Sequence, residues 1–231
     1  TEIAEDAGYQ VDMEGFDKCM AEQRARAKSA STFGIDYNKE LKITENTVFT
    51  GYDTLNDSAK ITHIFKDGVE TDEISTDEKA VIVLDKTPFY GEMGGQIGDK
   101  GIITIGDDAR FIVEDTKHVA KATIHVGRVD IGIFKKNDTV NASVDKENRA
   151  DIARHHSATH LLDSALRIVI GDSVAQKGSF VANDRLRFDY STSKPLTADE
   201  KKQIADLVNA KIQANLKVET QIMDLDDAKK S

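Results

Sequence analysis

The sequence predicts an α+β protein in which a helical N-terminal segment precedes a small antiparallel β-barrel or sandwich and then an α+β region. Three observations predict it: helical spacing of apolar residues near the N-terminus, repeated short β-rich runs in the middle, and mixed helical and strand-like runs after Lys146. The 231 residues are 39% hydrophobic and 31% charged, which is typical of folded domains.

The N-terminal segment, residues 1–46, is predicted to be a helix over about 11–32 followed by a loop or linker. Asp12 can cap this helix, and Phe16 and Met20 contribute to a partial apolar stripe. Cys19 lies in the same helix, where we expect a buried or half-buried thiol.

The middle segment, residues 47–145, is predicted to be the antiparallel β domain. Turn signals such as Asp67-Gly68 separate seven β-rich runs, a spacing typical of small barrels and sandwiches. The runs are 47–52, 60–66, 80–86, 101–105, 109–114, 122–129 and 139–144.

The C-terminal segment, residues 146–231, mixes helices and strands. Its apolar spacing predicts a helix over 149–170, and Thr197 with Glu200 forms a capping-box pattern for a second helix to about Leu216. Ile204, Leu207, Val208 and Ile212 are predicted to face inward on that helix. The predicted strands of this segment are 178–181, 185–190 and 218–223.

The charge distribution argues against a protein that coats nucleic acid. The net charge is −10, yet residues 146–195 carry eight basic and six acidic side chains, so an anionic partner should be sought there.

No apolar run approaches the roughly 20 residues of a membrane helix. The single Cys19 excludes a disulfide framework and a four-cysteine zinc site.

The ends of the sequence lead to two further expectations. No secretory leader precedes Thr1, so we expect a cytoplasmic protein. The chain begins without Met and stops in mid-pattern, so we expect a fragment of a longer protein.

The sharpest local motif is the pair His156 and His160. Residues four apart on a helix share a face, where two imidazoles can bind one metal ion. Ser157 replaces the glutamate of the helical metalloprotease motif, which counts against a protease. Zinc needs three or four ligands, and no other histidine or cysteine has useful spacing to the pair, so chance spacing remains an alternative.

Two further polar motifs are candidates for a site. Gly94 and Gly95 would let the backbone approach a ligand or another segment closely, although a tight turn between strands is the simpler interpretation. The run 176–179, Gln-Lys-Gly-Ser, stands at a predicted strand start and fits either a pocket or a turn.

Several long motifs together resemble the alanyl-tRNA synthetase family. The run 87–99 (TPFYGEMGGQIGD) is similar to the signature before that family's editing domain. The matching motifs then follow in the family's order: 156–162 (HSATHLL), 165–167 (ALR), 176–179 (QKGS) and 185–190 (RLRFDY). The opening 11–16 (VDMEGF), with 22–24 (EQR), resembles the end of the family's helical tRNA-recognition region, so nearly the whole chain is covered.

The resemblance implies a translation-factor-like β-barrel followed by the first part of an editing domain. The family attaches alanine to its tRNA with ATP and Mg²⁺, but the aminoacylation motifs are absent from this sequence. Its editing domain hydrolyses the ester when serine or glycine was attached to the tRNA specific for alanine. A pocket for alanine cannot exclude glycine or serine well, so a second hydrolytic sieve is physically reasonable.

The same resemblance implies roles for individual residues. His156 and His160 match two zinc ligands, whereas the family's later Cys-x-x-x-His pair is missing, so we expect an incomplete and inactive site in this chain. Thr159 would recognise the serine hydroxyl, and Gln176 would hold the ribose or aminoacyl group. Substrate or phosphate contacts are implied for Gly94, Gly95, Arg154, Arg167, Lys177, Arg185 and Arg187.

Structural alternatives stay open for these residues, and functional alternatives stay open for the chain. Thr159 can bond back to its own helix, and Arg185 and Arg187 can simply face solvent. The chain can also be a free-standing trans-editing hydrolase, or a non-catalytic tRNA-binding or scaffold module. The oligomeric state of the full-length protein is left open.

Overall fold

The computed structural model describes residues 8, 12–29, 41–171, 173–192, 194–217, 221, 223–224 and 227. The chain forms two compact units, Thr1–Lys42 and Ile43–Ser231. The boundary predicted between residues 145 and 146 lies inside the second unit and stays a prediction.

In the N-terminal unit, helix α1 spans Met13–Ser29. The Asp12 carboxylate accepts a hydrogen bond from the Gly15 amide at 2.8 Å, as the predicted cap requires. The remaining residues of the predicted helix, 11 and 30–32, lie outside the described residues. The expectation of a buried Cys19 is wrong: the thiol is exposed, because most described side chains of α1, including Phe16, face solvent.

The β domain is a closed barrel, which decides between the two predicted architectures. Its six strands are β2 (Asn56–Lys66), β5 (Lys79–Leu84), β7 (Gly101–Ile105), β8 (Ala109–Val119), β9 (Ala122–Ile131) and β11 (Thr139–Val144). These antiparallel strands follow the order β11-β7-β8-β9-β5-β2, and β11 pairs with β2 to close the sheet. Closure leaves these strands without a free edge.

Five short strands in the described part of the chain lie outside the closed six-stranded sheet. They are β1 (Val48–Phe49), β3 (Val69–Thr71), β4 (Glu73–Ser75), β6 (Lys86–Thr87) and β10 (Ile133–Lys135). The strand predicted over 47–52 is reduced to β1, which pairs with β6 in parallel. Strand β8 continues five residues beyond its predicted end, because residues 115–119 pair with β9.

The barrel interior is packed with apolar side chains, most of which come from its strands. Phe89, Phe111 and Phe134 have no exposed surface, and Ile82 and Ile103 fill the same core. Burial of each such side chain contributes about 1.5–3 kcal/mol. The barrel is therefore a solid support for the segments attached to its outside.

The C-terminal region contains helix α2 (Lys146–Ile170), strands β12 (Ala175–Val181) and β13 (Leu186–Ser191), and helix α3 (Ala198–Ala214). Asp145 caps α2 by accepting from the amides of residues 147 and 148, and Thr197 with Glu200 forms the predicted capping box. Strands β12 and β13 form an antiparallel hairpin.

A small core joins the two helices of this region to the hairpin. It contains Ala165, Leu166, Val174 and Ile204. Ile212 is not part of it and is 53% exposed, contrary to the prediction, because it lies beyond Val208, the last α3 residue that packs there. The strand predicted over 218–223 falls mainly outside the described residues. None of the described helices has the length and apolar character needed to cross a membrane.

Candidate functional site

A cavity of about 330 Å³ lies where α2, the β12–β13 hairpin and the turn around Gly95 meet. Five residues from the sequence-predicted set line it: Gly94, His156, Thr159, His160 and Gln176. The other lining residues are Gln96, Ser179, Val181 and Phe188. Residues from three separate motifs are thus brought to one cavity, although the sequence separates the glycine motif from the histidine pair by about sixty residues.

The two histidines point their Nε2 atoms at each other across one turn of α2. The Nε2–Nε2 distance is 3.2 Å, and the ring centroids are 5.1 Å apart. Two nitrogens that bind one tetrahedral zinc ion at about 2.0–2.1 Å are separated by roughly 3.3 Å. The separation of the two nitrogens therefore matches that of two ligands on one tetrahedral zinc ion.

The protonation of His156 also suits a ligand. Partial burial, and to a lesser extent the neighbouring His160, lower the pKa of His156 below its usual value. The imidazole is therefore neutral at physiological pH, as a metal ligand must be. Among the described residues, no group of three or more histidine, cysteine and acidic side chains is arranged to hold a metal ion, so the pair supplies two ligands only.

Gln96 contacts His156 through the ring nitrogen that does not face His160, and no role for Gln96 was predicted from the sequence. Its side-chain Oε1 lies 2.6 Å from His156 Nδ1. Only 8% of Gln96 is exposed. The only signal in the sequence was its position at the end of the glycine motif, 60 residues before its partner.

The turn that carries Gln96 is attached to strand β12, because the residues on either side of Gln96 both form hydrogen bonds with Val181. The Val181 amide donates to the Gly95 carbonyl at 2.8 Å, and the Ile97 amide donates to the Val181 carbonyl at 3.0 Å. Gly95 has φ +87°, and a Cβ there would lie 2.4 Å from the Ser179 carbonyl oxygen. A glycine is thus needed for this turn to approach β12 so closely.

A second attachment joins the same loop to the start of α2. Asp99, which is fully buried, pairs with the Arg149 guanidinium, and Arg149 also donates to the carbonyls of Gly51 and Pro88 at 3.0 and 2.9 Å. The Asp99 carboxylate accepts from the Tyr90 amide at 2.7 Å as well. The ion pair therefore fixes α2 against the loop 88–99 two turns before His156.

Thr159 and Gln176 lie in the cavity with different constraints. The Thr159 hydroxyl donates to the His155 carbonyl at 2.8 Å, so it does bond back to its own helix, and its oxygen remains able to accept. Gln176 lines the cavity from an exposed position beside a register shift in the hairpin. Lys177, which falls in that shift, is exposed.

The arginines predicted to contact phosphate are exposed and pair with nearby carboxylates. Arg154 pairs with Asp151, Arg185 with Asp184 and Arg187 with Asp189. Arg185 also stacks over the Phe180 ring, and Arg167 pairs with Asp163. Exposed pairs of this kind contribute little to stability, so the arginines can exchange them for another anion.

Comparison with known proteins identifies the family. The family model described as tRNA synthetases class II (A) matches residues 1–148, more than half of the chain. The chain belongs to the class II tRNA synthetases. The match covers α1 and the barrel and ends in the first residues of α2, before the histidine pair.

A relative extends the similarity over the rest of the chain. The alanine–tRNA ligase of Idiomarina loihiensis is 45% identical over 230 residues, which include the cavity. The match covers 100% of this chain but 26% of the relative. This class II synthetase chain therefore spans about a quarter of the length of that ligase.

Proposed function

We propose that this chain contains the β-barrel and the first part of the editing domain of an alanine–tRNA ligase, and that the complete domain hydrolyses the ester of serine or glycine attached to the tRNA specific for alanine. The observation that carries the proposal is the arrangement of His156 and His160, whose Nε2 atoms lie 3.2 Å apart in a polar cavity. The similarity to an alanine–tRNA ligase along the whole chain supports the same substrate class.

His156 and His160 would hold a zinc ion, which supplies a positive charge that can orient the substrate or polarise a reacting group. The family resemblance implies that a later Cys-x-x-x-His pair of the full-length protein completes the site. The 3.2 Å separation of their Nε2 atoms supports their assignment as ligands.

The other cavity residues would select and position the ester. The Thr159 oxygen, already held by its bond to His155, can accept a hydrogen bond from a serine hydroxyl. Gln176 would hold the ribose or the aminoacyl group from the facing strand β12.

The parent protein would join alanine to tRNA with ATP and Mg²⁺ in the cytoplasm, by an aminoacylation domain outside this chain.

The first test is the zinc content of the full-length protein. We expect one zinc ion per editing region in the wild type and its loss in His156→Ala and His160→Ala. His155→Ala is the matched control, because His155 Nδ1 lies 2.7 Å from the Ala182 carbonyl oxygen and its ring does not line the cavity. Unchanged zinc content in His156→Ala would contradict the ligand assignment.

A second candidate function is a non-catalytic tRNA-binding or scaffold module. It is favoured by the limited ligand set: the described residues supply two metal ligands rather than three or four. A full-length protein that holds no zinc and leaves the mischarged ester intact, yet binds the tRNA through residues 146–195, would establish this alternative.

A further inference from the structure

We propose that Gln96 is a positioning residue: its side-chain oxygen holds His156 as the Nδ1–H tautomer and directs the Nε2 lone pair toward His160. The expected effect of Gln96 on zinc affinity rests on the proposed function. Gln96 would act through His156 and would not touch the reacting ester.

The contact is short and the glutamine is held in place. Gln96 Oε1 lies 2.6 Å from His156 Nδ1, and an amide oxygen can only accept a hydrogen bond. The donor must then be Nδ1–H, and a neutral imidazole with its proton on Nδ1 has a free lone pair on Nε2. The 3.2 Å approach of His160 to that Nε2 fits the same assignment, with His160 as the donor.

The surroundings explain why this glutamine can impose an orientation. The Gln96 backbone exchanges two hydrogen bonds with Met93, at 3.1 and 3.2 Å, and its neighbours Gly95 and Ile97 both bond to Val181. Gln96 as a whole residue is 8% exposed, so water competes weakly for its side-chain oxygen. A rigid turn on the barrel thus sets the ring orientation of a residue on α2.

The orientation matters for a metal ligand. Histidines that bind metals commonly donate their other ring N–H to an oxygen, and removal of that partner typically weakens metal affinity by about 10–100-fold. Gln96 occupies the position of such a partner for His156. No partner of this kind is described for His160, so we expect His156 to be the better oriented of the two imidazoles.

Two replacements of Gln96 separate positioning from packing. Gln96→Leu keeps much of the volume but removes the acceptor, so we expect the Nδ1–H tautomer of His156 to be lost while the fold is retained. Gln96→Glu keeps an oxygen acceptor, so we expect the tautomer to be retained although a buried carboxylate lowers stability. If Gln96 served only for packing, the tautomer of His156 would instead be lost in the variants that lose the most stability, whether or not they keep an acceptor.

The tautomer is measured by nitrogen NMR of the histidine rings in the metal-free 231-residue chain at pH 8. Gln176→Leu is the control, since it removes a glutamine that lines the same cavity on the hairpin side. We expect Nδ1–H in the wild type, in Gln96→Glu and in Gln176→Leu, and its loss in Gln96→Leu. An unprotonated Nδ1 in the wild type, or the same tautomer in Gln96→Leu, would overturn the proposal.

Zinc affinity of the full-length protein gives the second readout. We expect binding to weaken by about 10–100-fold in Gln96→Leu and to stay within a few-fold of wild type in Gln96→Glu. A wild-type protein that binds no zinc would overturn the zinc site but not the tautomer result, so the two failures are distinguishable. Equal zinc affinity in Gln96→Leu and wild type would refute the positioning role.

Discussion

At the scale of single residues, Gly95 has the strictest requirement in the cavity. Its φ of +87° disfavours any other residue, and an added Cβ would meet the Ser179 carbonyl at 2.4 Å. Gly94 has φ +63° but no atom within 4 Å of an added Cβ. The two adjacent glycines therefore form a matched pair in which only one combines positive φ with a close contact.

We predict that Gly95→Ala destabilises the protein more than Gly94→Ala does. Each replacement costs about 1–3 kcal/mol for its left-handed backbone, and Gly95→Ala must also move the turn away from β12. Because that turn carries Gln96, zinc affinity should fall in Gly95→Ala and hold in Gly94→Ala. Urea unfolding and zinc titration measure both effects, and equal losses in the two variants would contradict the explanation.

Thr159 provides the prediction on specificity. In the full-length protein, Thr159→Val should slow removal of serine from the tRNA more than removal of glycine, because only serine has a hydroxyl to recognise. The loss of one hydrogen bond corresponds to about 0.5–1.5 kcal/mol, or roughly a 2–10-fold change in relative rate. Equal losses for the two esters, measured side by side, would exclude recognition through this hydroxyl.

At the scale of elements, the buried pair of Asp99 and Arg149 joins α2 to the loop 88–99. We predict that Arg149→Met lowers the free energy of unfolding by about 3–5 kcal/mol, because it leaves the Asp99 charge buried without its partner. Arg110→Met is the matched control: Arg110 pairs with Asp130 at the surface, where about 0–1 kcal/mol is expected. Similar losses in both variants would mean that Asp99 has another partner for its charge.

The barrel contains a buried histidine that should make it sensitive to acid. His125 has no exposed surface, and burial lowers its pKa to about 4, although its bond to the Ile82 carbonyl opposes that shift. The pKa of His125 is near 6.5 in the unfolded chain, so as the pH falls below 6.5 the unfolded chain binds a proton before the folded protein does. Stability is therefore present above about pH 6.5 and is lost as the pH falls toward 4.

We predict that this one group removes about 3 kcal/mol of stability between pH 6.5 and 4, as the difference in pKa implies. His125→Gln, which can still bond Thr87, should show a shallower decline than wild type in urea unfolding across that range. Carboxylates titrate in both proteins and cancel in the comparison. Parallel declines would show that His125 is not the group responsible.

Local patterns predicted the larger elements well. The runs at 101–105 and 139–144 coincide with β7 and β11, because both runs are rich in the β-branched residues Ile, Val and Thr, which favour strands. The capping box of Thr197 and Glu200 was equally visible, because both partners lie within one turn. The number and spacing of the runs predicted a barrel or a sandwich, the family resemblance implied the barrel, and the pairing of β11 with β2 shows that the sheet is closed.

The strands and contacts that the sequence did not predict depend on partners that are distant in the sequence. The three-residue strands β4 and β10 are strands only because they pair with each other, and neither has a pattern long enough to detect. The contacts of Gln96 with His156 and of Asp99 with Arg149 span 60 and 50 residues. The sequence therefore indicated the two histidines of the cavity but not the residues that orient them.

At the scale of the whole molecule, the second unit combines a closed barrel with helix α2, which carries the candidate ligands. The glycine turn and the Asp99–Arg149 pair attach the two, so the barrel acts as the support for the cavity.

The decisive measurement is hydrolysis of seryl-tRNA specific for alanine by the full-length protein, with alanyl-tRNA as the parallel substrate. We predict that the wild type cleaves the seryl ester and spares the alanyl ester, and that a His156→Ala/His160→Ala variant falls to the uncatalysed rate while still binding the tRNA. Cleavage by that variant at the wild-type rate would contradict an editing site built on these two histidines.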